Sequence, residues 1–214
     1  MYDYDTAYDE YATYFGNEPE SILTAYMDEI ASGGRVLDIG IGQGRNALPL
    51  ARAGRRVTGI DPSGVAVAQA REQAAAAGVE LGLWEGDVLE YDPATPFDAV
   101  LCFGLMQVLS RSQCASLLHR LFAWTRPGSL LLLTAWHVDD PSYDRISETW
   151  ERVGLHSFRS GTGEHRTYLA RGVVRNLLPG WEILHHAEVL GPLHDHGDSE
   201  SHRHGTIELA ARRR

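Results

Sequence analysis

The chain has 214 residues, 43% of them hydrophobic, and a formal net charge of −10. That is enough apolar material to bury one core, and the charge argues against nucleic acid or an anionic membrane as the main partner. All 19 basic residues are arginines, which excludes Schiff-base chemistry on lysine.

The first 30 residues carry apolar side chains at helical spacing. Tyr4, Tyr8, Tyr11 and Phe15 form one stripe, and Ile22, Tyr26 and Ile30 continue on a second helix beyond Glu18-Pro19. This predicts a helical lid. An apolar strand from Val36 to Ile39 then runs into Gly40, Gly42 and Gly44, and a helix from about Arg45 to Ala53 follows. A loop almost without side chains lets a ligand lie against bare backbone, with N–H groups and the positive helix end facing it. A dinucleotide fingerprint begun at Gly40 would want its third glycine where Arg45 stands. The loop therefore points to a nucleoside-type ligand without phosphates.

A second strand runs from Arg56 to Ile60 and ends in Asp61. The next helix is read with Asp61 as its N-cap, Pro62 at the first position and Gly78 just past the end. Strands from Val79 to Trp84, Phe97 to Phe103 and Ser129 to Trp136 follow, with a helix from about Ser112 to Thr125 before the Pro127-Gly128 turn. Repeated βα units imply a doubly wound parallel sheet. Residues 140 to 180 read as helical and irregular. Trp181 to Leu190 and Thr206 to Ala210 read as an antiparallel hairpin closing the sheet edge.

Ligands of open α/β sheets bind beyond the carboxyl ends of the strands. There Asp61 is placed to accept hydrogen bonds from both hydroxyls of a ribose, the competing role being a helix cap. Asp87 is placed to accept from an exocyclic adenine amine while Val88 offers its backbone N–H; alternatively Asp87-x-x-Glu90 is a capping box. Asp38, at the loop entrance, reaches an ammonium group or ties down the loop backbone. Phe103-Gly104-Leu105 lies where an amino-acid portion would rest. From the lid, Tyr11 or Tyr14 is expected to touch cofactor or acceptor and to exclude water.

These pieces resemble the class I S-adenosylmethionine-dependent methyltransferases over about residues 34–136, on Val36-Leu37-Asp38-Ile39-Gly40-Ile41-Gly42-Gln43-Gly44, Gly59-Ile60-Asp61 and Gly86-Asp87-Val88. Gly42-Gln43-Gly44-Arg45-Asn46-Ala47 is similar to the loop of the tellurite-resistance methyltransferases, as are Trp181 to Leu184, Val189 to His194 and Glu208 to Arg212. The resemblance implies a single α/β domain on a doubly wound, Rossmann-like, seven-stranded sheet, mostly parallel with a C-terminal antiparallel hairpin. Residues 1–32 are the lid, 34–136 the cofactor-binding core and 137–214 the substrate-side insert and hairpin. It implies S-adenosylmethionine as cofactor, held by Asp38, Gly40, Gly42, Gly44, Asn46, Asp61, Pro62, Asp87, Val88 and Phe103. Its reaction is in-line transfer of methyl to a small-molecule acceptor. The subfamily often has a His-Arg pair where this chain has His194-Asp195, so a small molecule other than tellurite is expected. The competing readings are a cofactor-binding module without turnover, a metal-binding protein, and a nicotinamide oxidoreductase, which Arg45 opposes.

Ten histidines are unevenly placed. His194 and His137, the latter at the end of the fifth strand, are candidate proton acceptors for an oxygen or nitrogen nucleophile. His194, His196, His202 and His204 flank a polar turn. Pairing 194 with 204 and 196 with 202 would gather four imidazoles on one face, a transition-metal arrangement, whereas a solvated His-rich loop needs no metal; the reading assigns no metal ligand. His185 and His186 are read as structural. Cys102 and Cys114 lack a CxxC partner and are expected to be buried thiols. The acidic start of the chain has no signal-peptide pattern, so a cytoplasmic soluble protein, monomer or homodimer, is expected.

Overall fold

The computed structural model describes residues 4–11, 13–194 and 201–214. In chain order the elements are α1 (Tyr4–Glu10), α2 (Ser21–Tyr26), β1 (Arg35–Ile39), α3 (Ala47–Arg52), β2 (Arg56–Asp61), α4 (Gly64–Ala76), β3 (Gly82–Glu85), β4 (Phe97–Cys102), α5 (Arg111–Ala123) and β5 (Thr125–Trp136). Then come α6 (Tyr143–Thr149), β6 (Glu151–Gly154), β7 (Ser157–Arg159), β8 (His165–Thr167), α7 (Val174–Leu177), β9 (Trp181–Leu190) and β10 (Gly205–Arg213).

Seven strands form one sheet in the order β3-β2-β1-β4-β5-β10-β9. The first five are parallel, and β10 runs antiparallel to both β5 and β9. Val36, Leu37, Val100, Leu101 and Leu130 to Leu133 are buried, so these strands carry apolar side chains on both faces, as strands covered by helices must. One core cluster includes Leu37, Val100, Leu117 and Leu121, and the other Leu23, Val36, Leu50 and Leu101. Strand order reverses between β1 and β4, which opens a crevice at their carboxyl ends.

Three sequence expectations are corrected. Asp61 does not cap α4, and Pro62 is not its first residue: Asp61 still belongs to β2, and Ser63 is the cap, its hydroxyl accepting from the Ala66 N–H at 3.0 Å. The third strand begins at Gly82 rather than Val79. The end of α4 takes up the intervening chain, because the N–H of Gly78 bonds Ala75 and that of Val79 bonds Ala74. Residues 140 to 180 hold a three-stranded antiparallel sheet, β6-β7-β8, as well as helices. Its strands are three or four residues long, too short for alternation to show. A small core of Ile146, Phe158 and Tyr168 holds it.

The aromatic stripe of the lid is helical only to Glu10; Thr13 to Phe15 form a turn that keeps the rings together. Tyr8 packs against Tyr4, Tyr14 and Phe15 at centroid distances of 6.0, 6.0 and 6.2 Å. Among the described residues no helix is long and apolar enough to cross a membrane. Cys102 and Cys114 are buried free thiols.

Candidate active site

Gly40, Gly42 and Gly44 have φ of 74°, 51° and 91°, the left-handed region that side chains with a Cβ avoid. The loop they form is fixed largely from below. The N–H groups of Gly40 and Ile41 bond the Ile60 carbonyl, and that of Gly44 bonds the Ile41 carbonyl. The Gly42 N–H donates to Asp61 Oδ2 at 2.8 Å. These four donors therefore serve the loop itself, contrary to the expectation that they face a ligand. α3 has six residues, too few for its dipole to dominate. What the glycines supply is clearance above the backbone. Gly59 has a packing role: a Cβ there would lie 2.1 Å from Ile41 Cδ1, so only glycine lets Ile41 fold down onto β2.

Asp61 accepts from Ser63 N at 3.0 Å as well as from Gly42 N. Each oxygen keeps a second lone pair for a hydroxyl donor. Burial pushes its carboxyl up, the two backbone bonds pull it down, and the net shift is upward. Asp38 is 1% exposed, and its Oδ2 has no hydrogen-bond partner. Burial pushes this carboxyl up to about 7, against the pull of Arg45 and with a further push from Asp61. An unpaired buried acceptor is costly unless something supplies a donor.

Across the switch point, the segment after β4 presents Phe103, half-buried, and Gly104, whose N–H donates to Thr134 Oγ1 at 3.0 Å. Gln107 follows in a 3-10 turn, 8% exposed, with Oε1 unpartnered. Neither β1 nor β4 supplies a partner for these two acceptors, and both flank the crevice. Asp87 is exposed and caps the 3-10 turn Val88–Glu90, its Oδ1 accepting from Leu89 N at 2.8 Å; Val88 is buried. Asp87 thus has a capping role in hand and one carboxylate oxygen beyond it.

Over the loop lies the lid. Tyr8 is 5% exposed, and a Cβ on Gly42 would stand 3.0 Å from its hydroxyl. Burial first, then the charge of Asp61, push its phenol far up, so it remains an O–H donor. Gln43 Nε2 donates to Tyr11 O at 2.7 Å and to Gln69 Oε1 at 2.9 Å, while its Oε1 accepts from Tyr14 N at 2.8 Å. Gln69 Nε2 donates to Tyr8 O at 2.7 Å, and the Ser63 hydroxyl donates to Asp5. Tyr11 and Tyr14 are therefore joined to the loop through their backbones, and the ring over Gly42 is Tyr8. The stripe contained Tyr8, but only the fold shows which of its rings turns inward. Asn46, expected at the cofactor, accepts from Glu20 N at 2.9 Å and anchors the start of α2, beside the Arg45–Glu20 ion pair. Pro62 separates β2 from the cap of α4.

The two histidines assigned as bases are placed differently from one another. His137 is 2% exposed. Its Nδ1 accepts from Asp139 N at 3.2 Å, and its Nε2 lies 3.3 Å from Val189 O. Both nitrogens contact backbone, so His137 fastens the end of β5 to β9. His194 pairs with His202 through two backbone bonds of 2.8 Å. The register is 194 with 202, two residues from the 194–204 pairing expected, and His204 joins the same group. His196 lies outside the described residues.

Chemically, the crevice has two buried carboxylates and a glutamine amide around a loop without side chains, closed by an aromatic lid. That set suits a cationic, hydroxyl-bearing nucleoside. A methyltransferase domain model matches residues 36–128. The malonyl-[acyl-carrier protein] O-methyltransferase of Pectobacterium atrosepticum is 29% identical over 167 residues, which are 78% of this chain and 60% of that protein. This chain spans about 40–60% of the length of the first curated relatives it matches. In fold, it superposes on TehB from Haemophilus influenzae with a TM-score of 0.72 at 19% identity, covering 91% of this chain and 62% of that one. For an S-adenosylmethionine-dependent methyltransferase of Methanosarcina mazei the TM-score is 0.73 at 17% identity, over 92% and 98% of the two chains.

Residues 36–128 thus match a methyltransferase domain, and the fold is one that S-adenosylmethionine-dependent methyltransferases share. The residues present fit that cofactor: Asp38 Oδ2 and Gln107 Oε1 are buried acceptors lacking donors, and a side chain at Gly42 would occupy the space above the loop.

Proposed function

We propose that this chain transfers a methyl group from S-adenosylmethionine to a small-molecule acceptor by in-line displacement at the methyl carbon. The observation that carries the reading is the pair Asp38 and Asp61, buried on the two sides of the glycine loop, one with an oxygen awaiting a donor. When bound, the cofactor supplies an electrophilic methyl on a sulfonium. The chain's residues do the positioning. Asp61 grips the ribose hydroxyls, Asp38 receives the ammonium, and Gln107 and the Gly104 backbone line the amino-acid portion. Asp87 and Val88 meet the adenine edge. Tyr8 and the rings around it exclude water.

Past the carboxyl end of β5, a cavity of about 270 Å³ is lined by Trp136, Asp140, Ser142, Arg145, Arg166 and residues 202–204 just before β10. Arg166 lies 5.8 Å from the Trp136 ring centroid. Arginines beside an indole suit a flat, anionic acceptor. The Pectobacterium relative is named an O-methyltransferase, which supports oxygen as the methylated atom. With His137 committed to backbone, an acceptor already ionised, such as a carboxylate or an acidic phenol, fits best, because it needs no base.

The test has two parts. Calorimetry with S-adenosylhomocysteine should show one site per chain, abolished or strongly weakened in Asp61→Ala. Incubation with S-adenosylmethionine and a panel of aromatic acids, phenols and their neutral esters should release S-adenosylhomocysteine with the anionic members only. Tight cofactor binding with no turnover across the panel would replace the enzyme by a cofactor-binding module.

A further inference from the structure

The β9–β10 hairpin lies at the sheet edge where the parallel strands end, because Thr206 pairs with Trp136. At its tip His194, His202 and His204 have ring centroids 4.7, 5.2 and 5.0 Å apart. One nitrogen from each lies within 4.8 Å of the others. Three nitrogens on a tetrahedral zinc stand about 3.3 Å apart, given bonds of about 2.0–2.1 Å, so small side-chain rotations close the difference. Three imidazoles this near each other would repel if protonated; as neutral ligands they share one cation.

Two of the rings are already oriented as metal ligands are. His204 Nδ1 lies 2.9 Å from Asp140 Oδ2, and the Asp140 side chain is fully buried. Asp140 also accepts from Gly205 N at 3.0 Å, from Ser142 N at 2.8 Å and from the Ser142 hydroxyl. With its Nδ1 turned to this carboxylate, His204 has Nε2 left as the ligand atom. The His204 ring is held from the other side by Trp136, stacked at 3.9 Å and 23°. His194 repeats the device with Nδ1 3.1 Å from the Pro192 carbonyl. Ligating histidines characteristically donate their second N–H to a carboxylate or carbonyl in this way.

The structure assigns to His194, His202 and His204 a divalent transition-metal site of the zinc class, with Asp140 and the Pro192 carbonyl orienting two of its ligands. Three neutral nitrogens leave a fourth position open. His202 and His204 also line the arginine-bearing cavity, so that position opens toward an anionic small molecule. This revises the reading of the sequence, which assigned no metal ligand.

Untagged, chelator-treated full-length chain titrated with zinc, and with cobalt(II) for its visible spectrum, tests the site. One zinc per chain and a nitrogen-ligand cobalt spectrum are expected. His194→Ala, His202→Ala and His204→Ala should each weaken binding by at least tenfold. Asp140→Asn should weaken it by about 10–100-fold, while the exposed His119→Ala should bind like the parent. His204→Gln, which keeps a donor toward Asp140 but lacks the ligand nitrogen, separates ligand loss from misfolding, with S-adenosylhomocysteine affinity as the check on the fold. Zinc bound equally by the parent and His204→Gln, or substoichiometric zinc on the parent, would overturn the assignment. Neither result bears on methyl transfer.

Discussion

Asp38 shows most directly how burial sets the charge preference of a side chain. Its carboxyl sits near 7 because burial penalises the charge. A group whose folded pKa exceeds its unfolded value binds more protons in the native state, so its contribution to stability falls as pH rises between the two. The cofactor-free chain should therefore lose stability from about pH 4 to about pH 7 through this group, and Asp38→Asn should flatten that slope in denaturation measured across the range. A cationic ligand reverses the preference. Cofactor affinity should fall as pH drops below about 7, with proton uptake by the buffer visible in calorimetry; affinity independent of pH would remove Asp38 from the ammonium. Asp61 holds the loop through the Gly42 N–H, and the proposed function gives it the ribose as well. Asp61→Ala should weaken S-adenosylhomocysteine binding by about 1–3 kcal/mol, the range for charge-assisted hydrogen bonds lost from a buried site. These acids were legible because each lies at or next to the end of a recognisable strand. Tyr8, Gln43 and Gln107 were not, since a tyrosine in a stripe or a glutamine in an apolar run carries no address until the chain folds.

At the scale of elements, local chemistry and tertiary contacts share the work unequally. α5 is specified locally: Ser110 Oγ accepts from Gln113 N at 3.3 Å, and Gln113 Oε1 accepts from Ser110 N at 2.9 Å. Ser110→Ala should cost about 1 kcal/mol in urea denaturation while leaving cofactor affinity unchanged. The lid is specified by contacts. α1 has seven residues, below the length at which an isolated helix persists, and is held by Gln43, Gln69 and Ser63. Replacing Gln43 by Ala should loosen it, seen as faster amide exchange in residues 4–10 with little change elsewhere. The glycine strand–loop and the Ala-rich α4 could be read from residue order. The cap of α4 could not, because Asp61 and Ser63 are both good caps, and the choice fell to Ser63 once Asp61 was drawn to Gly42. The strands of the β6-β7-β8 sheet escaped notice because three-residue segments have no measurable period.

For the whole molecule, binding at the crevice must couple to the lid, since Tyr8 lies directly over Gly42. A ligand at about 100 times its dissociation constant stabilises the folded state by about 2.7 kcal/mol, or roughly 5–10 °C for a domain of this size. Thermal scans with S-adenosylhomocysteine should show a shift of that order, with the lid amides gaining the largest protection. A shift without lid protection would mean that the lid and the cofactor act independently.

Residue order by itself determined the parallel sheet, the glycine turn and the two acids near the ends of β1 and β2, because strand period, glycine and carboxylate each act over a few neighbouring residues. Only tertiary structure decided which aromatic ring seals the turn, that both nitrogens of His137 are spent on backbone, and that His194 pairs with His202 rather than with His204. Those outcomes depend on the register of β10 against β5 and β9 and on how the N-terminal segment folds back, and such long-range pairings leave no local trace in a sequence.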